Sequence, residues 1–312
     1  MNDDAKKLKP TTVLNGDIPA VKDRAFRRAV IANEQRPVGQ ASANPRDSVE
    51  ERTVVQPTGE KHCGANGSRY SYYKSSNASS RITRRDIEHA IRLGYERCNP
   101  SLANPDFLVY RERRRLFSDW LRNLPGRQLD VVDIGGRIQP HRPLVEDRIG
   151  RYVAIDPQLT GLVDAVAVGE QLPLPDNTFD LVFCTQVLGY ATDPSRVIAE
   201  IHRVLKPGGV LFLSVSAFFP AHHDEHWRFL PQGLQLLLDR FPDVEIAPEG
   251  YSVSGLFRTI NACLNIFIRI RLLRALVGVS LIPLMNLAGL WCDRFSFGNT
   301  QFTTNYSVFA RK

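Results

Sequence analysis

The stretch Leu129–Pro140, LDVVDIGGRIQP, decides how the chain is read. Val131, Val132 and Ile134 form the short continuous apolar run of a strand buried in a parallel sheet. The run breaks at Gly135-Gly136, where the backbone can turn tightly and approach a ligand. Asp133 stands just before the glycines, and the next apolar run, Tyr152–Ile155, ends in Asp156, 21 residues after Gly135. That is the spacing at which a doubly wound fold sets an acid against the hydroxyls of a ribose, so the stretch predicts a site for a nucleoside-containing cofactor. A dinucleotide fingerprint needs G-x-G-x-x-G to cradle a pyrophosphate. Here Arg137 holds the second glycine's place and Pro140 falls where the last would be, which argues against a dehydrogenase.

Charge narrows the partners. The 312 residues carry 40 Lys and Arg against 33 Asp and Glu, a net +7. Residues 1–85 hold 16 basic and 9 acidic side chains, so the remainder, with 24 of each, is neutral and offers no formal excess for a specific nucleic-acid site. Five cysteines (Cys63, Cys98, Cys184, Cys263 and Cys292) form no C-x-x-C pair, which speaks against a disulfide framework or a zinc site and suits a reducing, cytoplasmic setting. MNDDAKKLKP lacks the apolar core of a secretory signal.

The chain divides into five parts. Residues 1–80 read as a disordered basic arm, rich in Gly, Pro, Ser and Asn. Residues 81–127 predict two helices: one capped by Thr83, with Ile87, Ala90, Ile91 and Tyr95 on its inner face, and one over Pro105–Leu124, whose RERRR core reads as a solvated face. Residues 128–254 alternate strand and helix, with strands expected at 129–134, 151–155, 164–168, 180–185 and 209–216 and helices at about 141–149, 194–206 and 231–240. LKPGG at 205–209 reads as the stop of a helix before the fifth strand. Residues 255–295 are an apolar helical segment, and 296–312 supply a last strand.

The residues at 133–139 resemble motif I, D-x-G-x-G, of the class I S-adenosylmethionine-dependent methyltransferases, with Arg137 departing from it. Over 169–216 the likeness lengthens: LPLPDNTFD, a strand, Val187-Leu188-Gly189-Tyr190, a helix and LKPGG follow the order of the methyltransferase type 11 group, which includes the ubiquinone-biosynthesis enzymes. The resemblance implies an α/β, doubly wound, Rossmann-like seven-stranded sheet with an antiparallel last strand, and S-adenosyl-L-methionine as cofactor. It also implies site roles. Asp133, Gly135 and Gly136 would hold the methionine end and Asp156 the ribose, while Gly169 and Glu170 border the adenine and Gln186 lines the floor.

Ala217–Phe229, AFFPAHHDEHWRF, resembles a P-x-H…H-D-[FY]-[WY]-R-[FY] signature of a branch often linked to cell-surface polysaccharide and glycolipid biosynthesis. That branch has P-[YH]-R after motif I, matched by Pro140-His141-Arg142. Three readings of His222, His223, Asp224 and His226 stand open: a general base for an acceptor hydroxyl, a metal site, or a hydrogen-bonded loop. For catalysis His223 and His226 are the candidates. The implied acceptor is a glycan or lipid-linked sugar.

Between Arg274 and Asp293 lie 18 uncharged residues, near the length of a membrane span. TTNYSVFARK (303–312) must return to the same sheet as the family's last strand, so 255–292 is expected as two helices capping the acceptor pocket or resting on a membrane surface, with ordinary packing the alternative. Loss of cofactor contacts at Arg137, Val168 and Gly189 would instead leave an inactive scaffold of the same fold.

Overall fold

A computed structural model describes residues 83–126, 128–220, 224–295 and 298–312; the arm at 1–80 and its expected disorder lie outside the described residues. Helix α1, Arg84–Cys98, starts at a reciprocal capping box: Asp86 N donates to Thr83 Oγ1 and Thr83 N donates to the Asp86 carboxylate at 2.9 Å. Its buried ridge is Ala90, Gly94 and Cys98, whereas Ile91 and Tyr95 are half exposed. The expected inner face was thus wrong on two residues, because the helix approaches its neighbour through its small side chains: a Cβ on Gly94 would lie 2.0 Å from the Ile138 carbonyl oxygen. Helix α2, Phe107–Arg122, buries Leu108, Val109, Leu116, Phe117, Trp120 and Leu121 at helical spacing. Arg113, which was expected in solvent, is buried with them.

Among the described residues six strands form one sheet: β1 Leu129–Ile134, β2 Ile149–Ile155, β3 Phe179–Thr185, β4 Leu205–Ser216, β5 Asp243–Pro248 and β6 Asn305–Arg311. Their order is β2-β1-β3-β4-β6-β5; β1 to β4 run parallel, and β6 runs antiparallel between β4 and β5. The antiparallel last strand is present. The expected seventh strand does not form at 164–168, which makes a single bridge, Ala165 to Ile155. Asp164 turns its carboxylate onto Ala154 N at 2.9 Å, and Val166 and Val168 stay exposed, so the run lacks the cover a further strand would need. LKPGG ends the helix over Pro194–Val204 and opens β4 at once, as expected, but the C-cap is Leu205 rather than a glycine; Gly208, at φ +78°, donates its N–H to the Lys312 carbonyl at 2.8 Å. The helix expected over 141–149 shrinks to α3, Arg142–Val145, and a 3₁₀ turn over Glu146–Arg148.

Register puts side chains of paired residues on the same face of the sheet. On the side covered by α2, one row runs Ala154, Asp133, Phe183, Phe212, Phe309. Toward the carboxyl ends of the parallel strands the next row is Thr185, Ser214, Ser307. Phe117 and Trp120 of α2 pack on Phe212, tilted and edge-on, at 5.2 and 5.5 Å between ring centroids. The opposite face takes α4, Pro194–Val204, through Val197, Ile198, Ile201 and Val204. Helix α5, Pro231–Leu237, leads into β5.

Three helices, rather than two, fill the apolar segment: α6 Ser252–Phe267, α7 Arg271–Val279 and α8 Leu281–Asp293. Helix α8 is stapled to the body by buried Asn286, which donates to the carbonyls of Leu102 and Asn104 at 2.7 and 2.9 Å and accepts from Asn261. Gly289 lets α8 close on α2, since a Cβ there would lie 2.9 Å from Leu108 Cδ1.

Gly94→Ala is expected to lower stability by about 1–3 kcal/mol through overpacking against the Ile138 carbonyl. Gly278→Ala, where a Cβ meets nothing within 4 Å, is expected to raise it by about 0.5–1 kcal/mol. Thermal unfolding of the two variants checks the pair; equal shifts would contradict the packing of α1.

Candidate functional site

The site lies where the parallel strands end. After β1, Gly135 takes φ +79° and its Cβ would fall 2.5 Å from Val187 Cγ2; a Cβ on Gly136 would strike the Asp133 carbonyl at 2.7 Å. Both glycine N–H groups donate to the Ile155 carbonyl, at 2.8 and 3.1 Å. The turn after β1 is thereby locked to the end of β2, beside Asp156. The Asp156 carboxylate accepts from Gln158 N at 2.8 Å, and its burial pushes its pKa up against that bond and the nearby Arg137 charge.

Asp133 is fully buried. Its Oδ2 accepts the Tyr152 hydroxyl at 2.8 Å, whereas Oδ1 has no partner among the described residues. Desolvation raises its pKa to about 7, opposed by the Tyr152 bond and assisted by the charge of Asp156. An unsatisfied buried carboxylate oxygen costs free energy unless a donor arrives, and this one lies next to the glycine turn. Tyr152 is itself held in place: the Arg142 guanidinium lies 5.4 Å from its ring centre, and Arg142 donates to Gln139 Oε1 at 2.8 Å.

Arg137, the departure from the motif, is exposed and turns its guanidinium outward onto Gln158 Oε1. The side chain leaves the glycine turn open. His141 of the Pro-His-Arg stretch is buried against Phe117 and Phe183, with Nε2 3.2 Å from Thr185 Oγ1. Burial drives its pKa well down, so it is a neutral prop of the core.

The adenine-side candidates gather on the neighbouring loops. Gly169 packs on Val197 and on Ile134 of β1, where a Cβ would lie 3.1 Å from Val197 Cγ1. The Glu170 carboxylate accepts from Thr192 N at 2.7 Å, joining it to the loop after β3. That loop also holds the segment after β4: His226 N and Trp227 N donate to the Gly189 carbonyl at 2.7 and 3.1 Å, and Trp227 Nε1 donates to the Ala191 carbonyl at 2.9 Å. His226 is exposed at this rim; His223 lies outside the described residues.

Gln186, at φ +58°, opens a relay that the sequence did not disclose. Its Nε2 donates to Ser214 Oγ at 2.9 Å, and Ser214 Oγ donates to Glu249 Oε1 at 2.5 Å. Glu249 also accepts from Ser307 Oγ at 2.6 Å and, at 2.8 Å on each oxygen, from Arg113 Nε and Nη2. The sequence marked Arg113 only as one of a basic run and Glu249 not at all; the one available signal was an arginine on the apolar stripe of α2.

Comparison with known proteins now bears on the chemistry. Residues 135–213 match the model of the methyltransferase domain family. This stretch is similar in sequence to that family. The ubiquinone/menaquinone biosynthesis C-methyltransferase of Acidiphilium cryptum is 35% identical over 127 residues, 36% of this chain and 50% of that protein. The thiol S-methyltransferase of Rattus norvegicus is 34% identical over 92 residues, 26% of this chain and 38% of its own. The chain therefore spans half or less of these relatives' lengths. An S-adenosylmethionine-dependent methyltransferase from Archaeoglobus fulgidus aligns in structure at 16% identity and a TM-score of 0.43, covering 71% of this chain and 99% of that one. The residues present suit S-adenosylmethionine, the cofactor of the matched family, in that the orphaned Asp133 Oδ1 offers an acceptor for an ammonium beside a turn whose close packing admits only glycine.

Burial sets what the loss of a charged partner costs. Glu249→Ala leaves Arg113 buried without its partner and is expected to cost about 3–5 kcal/mol. Arg84→Ala, which removes an exposed pair with Glu88, is expected to change stability by less than about 0.5 kcal/mol; denaturant unfolding separates them. Folding holds the Asp133 pKa above its ordinary 3.8, so the protonated acid is the favoured form. Its contribution to stability is complete below 3.8 and lost as pH rises to about 7. Asp133→Asn is expected to abolish that loss, so the unfolding free energies of variant and native chain diverge across this window and run parallel above it.

Proposed function

We propose that the protein is an S-adenosylmethionine-dependent methyltransferase whose acceptor is a glycan or lipid-linked sugar. The observation that carries the enzyme reading is the buried, half-satisfied Asp133 beside a glycine turn that has room for no side chain, the turn at which the matched methyltransferase stretch begins. The cofactor supplies an activated methyl on a sulfonium, transferred by in-line displacement. The chain's own residues bind, orient and exclude water. Asp133 Oδ1 takes the ammonium of the methionine end, and the Gly135-Gly136 turn allows its close approach. Asp156 takes the ribose hydroxyls. Gly169 and Glu170 border the adenine, and Gln186, fixed by Ser214 and by Ser216 Oγ donating to its Oε1 at 2.7 Å, lines the floor.

The acceptor side rests on different support. The segment after β4 resembles the glycan-linked signature and is tied by His226 N to the loop after β3, at the rim of the same edge of the sheet. His226 and His223 are the candidate bases for an acceptor hydroxyl.

Calorimetric titration of S-adenosylhomocysteine into the full chain is expected to give micromolar binding that Asp156→Ala weakens by about tenfold or more, near 1.4 kcal/mol. Binding should be tighter at pH 8 than at pH 6, because Asp133 ionises near 7, and Asp133→Asn should flatten that dependence. No binding to the folded chain would overturn the enzyme reading. Labelled methyl transfer to lipid-linked sugars that His226→Ala or His223→Ala abolishes, with S-adenosylhomocysteine affinity unchanged, tests the acceptor and the base.

A further inference from the structure

We propose that α7 and the outer side of α8 form a docking surface for an anionic lipid membrane, lying in the plane of its interface. No residue of α7 is buried, and its apolar side chains face outward: Leu272 is 72% exposed, Leu276 55% and Val279 73%. Phe267, at the end of the preceding helix, is 77% exposed, and Leu284 and Trp291 of α8 are 63% and 62% exposed. So many large apolar groups in one place mark an interaction surface rather than the scatter normal on a protein surface.

Charge selects the partner. From Gly250 to Cys292 the chain has no acidic residue, while Arg269 and Arg271 stand exposed at the start of α7. Arg274, beside them, donates to the Ile268 carbonyl from Nε at 3.0 Å and Nη2 at 2.6 Å, which holds the turn between α6 and α7. Apolar side chains flanked by arginines and free of carboxylates suit a surface of anionic headgroups over acyl chains. A Trp at the border of such a face has the amphipathic ring favoured at that depth.

The segment Arg271–Asp293 is 23 residues long and apolar enough to cross a bilayer, yet the fold opposes a crossing. The helix breaks at Ser280, and the inner side of α8, through Ile282, Asn286 and Gly289, is buried against the body. β6, immediately afterwards, pairs with both β4 and β5. A span would break the Asn286 bonds to Leu102, Asn104 and Asn261 and carry β6 away from its sheet. Lying flat buries the outer face with none of these losses.

Flotation of the full chain with vesicles tests the surface independently of methyl transfer. Vesicles of phosphatidylcholine with added phosphatidylglycerol are expected to bind the protein roughly tenfold or more tightly than phosphatidylcholine alone, with binding reduced by salt. Arg269→Glu with Arg271→Glu, and separately Leu272→Glu with Val279→Glu, are each expected to lower that binding by about tenfold, with thermal unfolding and S-adenosylhomocysteine affinity unchanged. All variants keep the basic residues 1–85, so a loss belongs to the helices. Unchanged binding in both double variants, equal binding to neutral vesicles, or no vesicle binding would overturn the proposal. So would a self-association that Leu272→Glu with Val279→Glu dissolves in protein that ignores vesicles, since the face would then meet a second copy.

Discussion

The Glu249 carboxylate is the constraint on which much else depends. It follows β5, yet it holds Arg113 of α2, Ser214 of β4 and Ser307 of β6 at once. A charge taken out of water is tolerated only when its oxygens are filled, and here both are. The consequence is positional. The helix before the sheet, the central strand and the last strand meet at one point, and Ser214 passes that order on to Gln186, just after β3.

Above this point the sheet changes character along its strands. On the face under α2 the rows pass from aromatic, with Phe183, Phe212 and Phe309 side by side, to hydroxyl, with Thr185, Ser214 and Ser307. Asp133 sits in the aromatic row and accordingly suffers desolvation, which the bond from Tyr152 offsets only in part. Parallel strands end on the same side, so every loop that follows one opens at the polar end. The glycine turn, Asp156 and the rim carrying His226 are gathered there by that geometry, with backbone bonds from Gly135, Gly136, His226 and Trp227 closing adjacent loops on one another.

Helices α6 to α8 serve a second face. Their inner side is fixed by Arg258, which donates to Asp106 at 2.9 Å and to Asn305 at 2.6 Å, and by the Asn261–Asn286 pair. Polar groups buried in an otherwise apolar helical layer specify which side turns inward, because each unpaired one would be costly. The apolar side chains left over are the ones that point away.

Local patterns were readable without coordinates. An apolar run before Gly-Gly, an acid at the ribose spacing and a threonine three residues before an acid each depend on a few neighbouring residues, so β1, the turn, Asp156 and the start of α1 follow from the chain alone. What the sequence left undetermined depended on partners far along the chain. A run of valines at 164–168 has strand propensity, but a strand needs a neighbour and a cover, and the edge supplies one bridge. Arg113 looks like its neighbours until Glu249, 136 residues later, draws it inward. Arg137 is a bare departure from the motif until the fold shows it turned onto Gln158. Spacing along the chain determined β1, the glycine turn, the acid just after β2 and the start of α1; tertiary structure alone decided which charges were buried, because burial is a property of all the surrounding segments together.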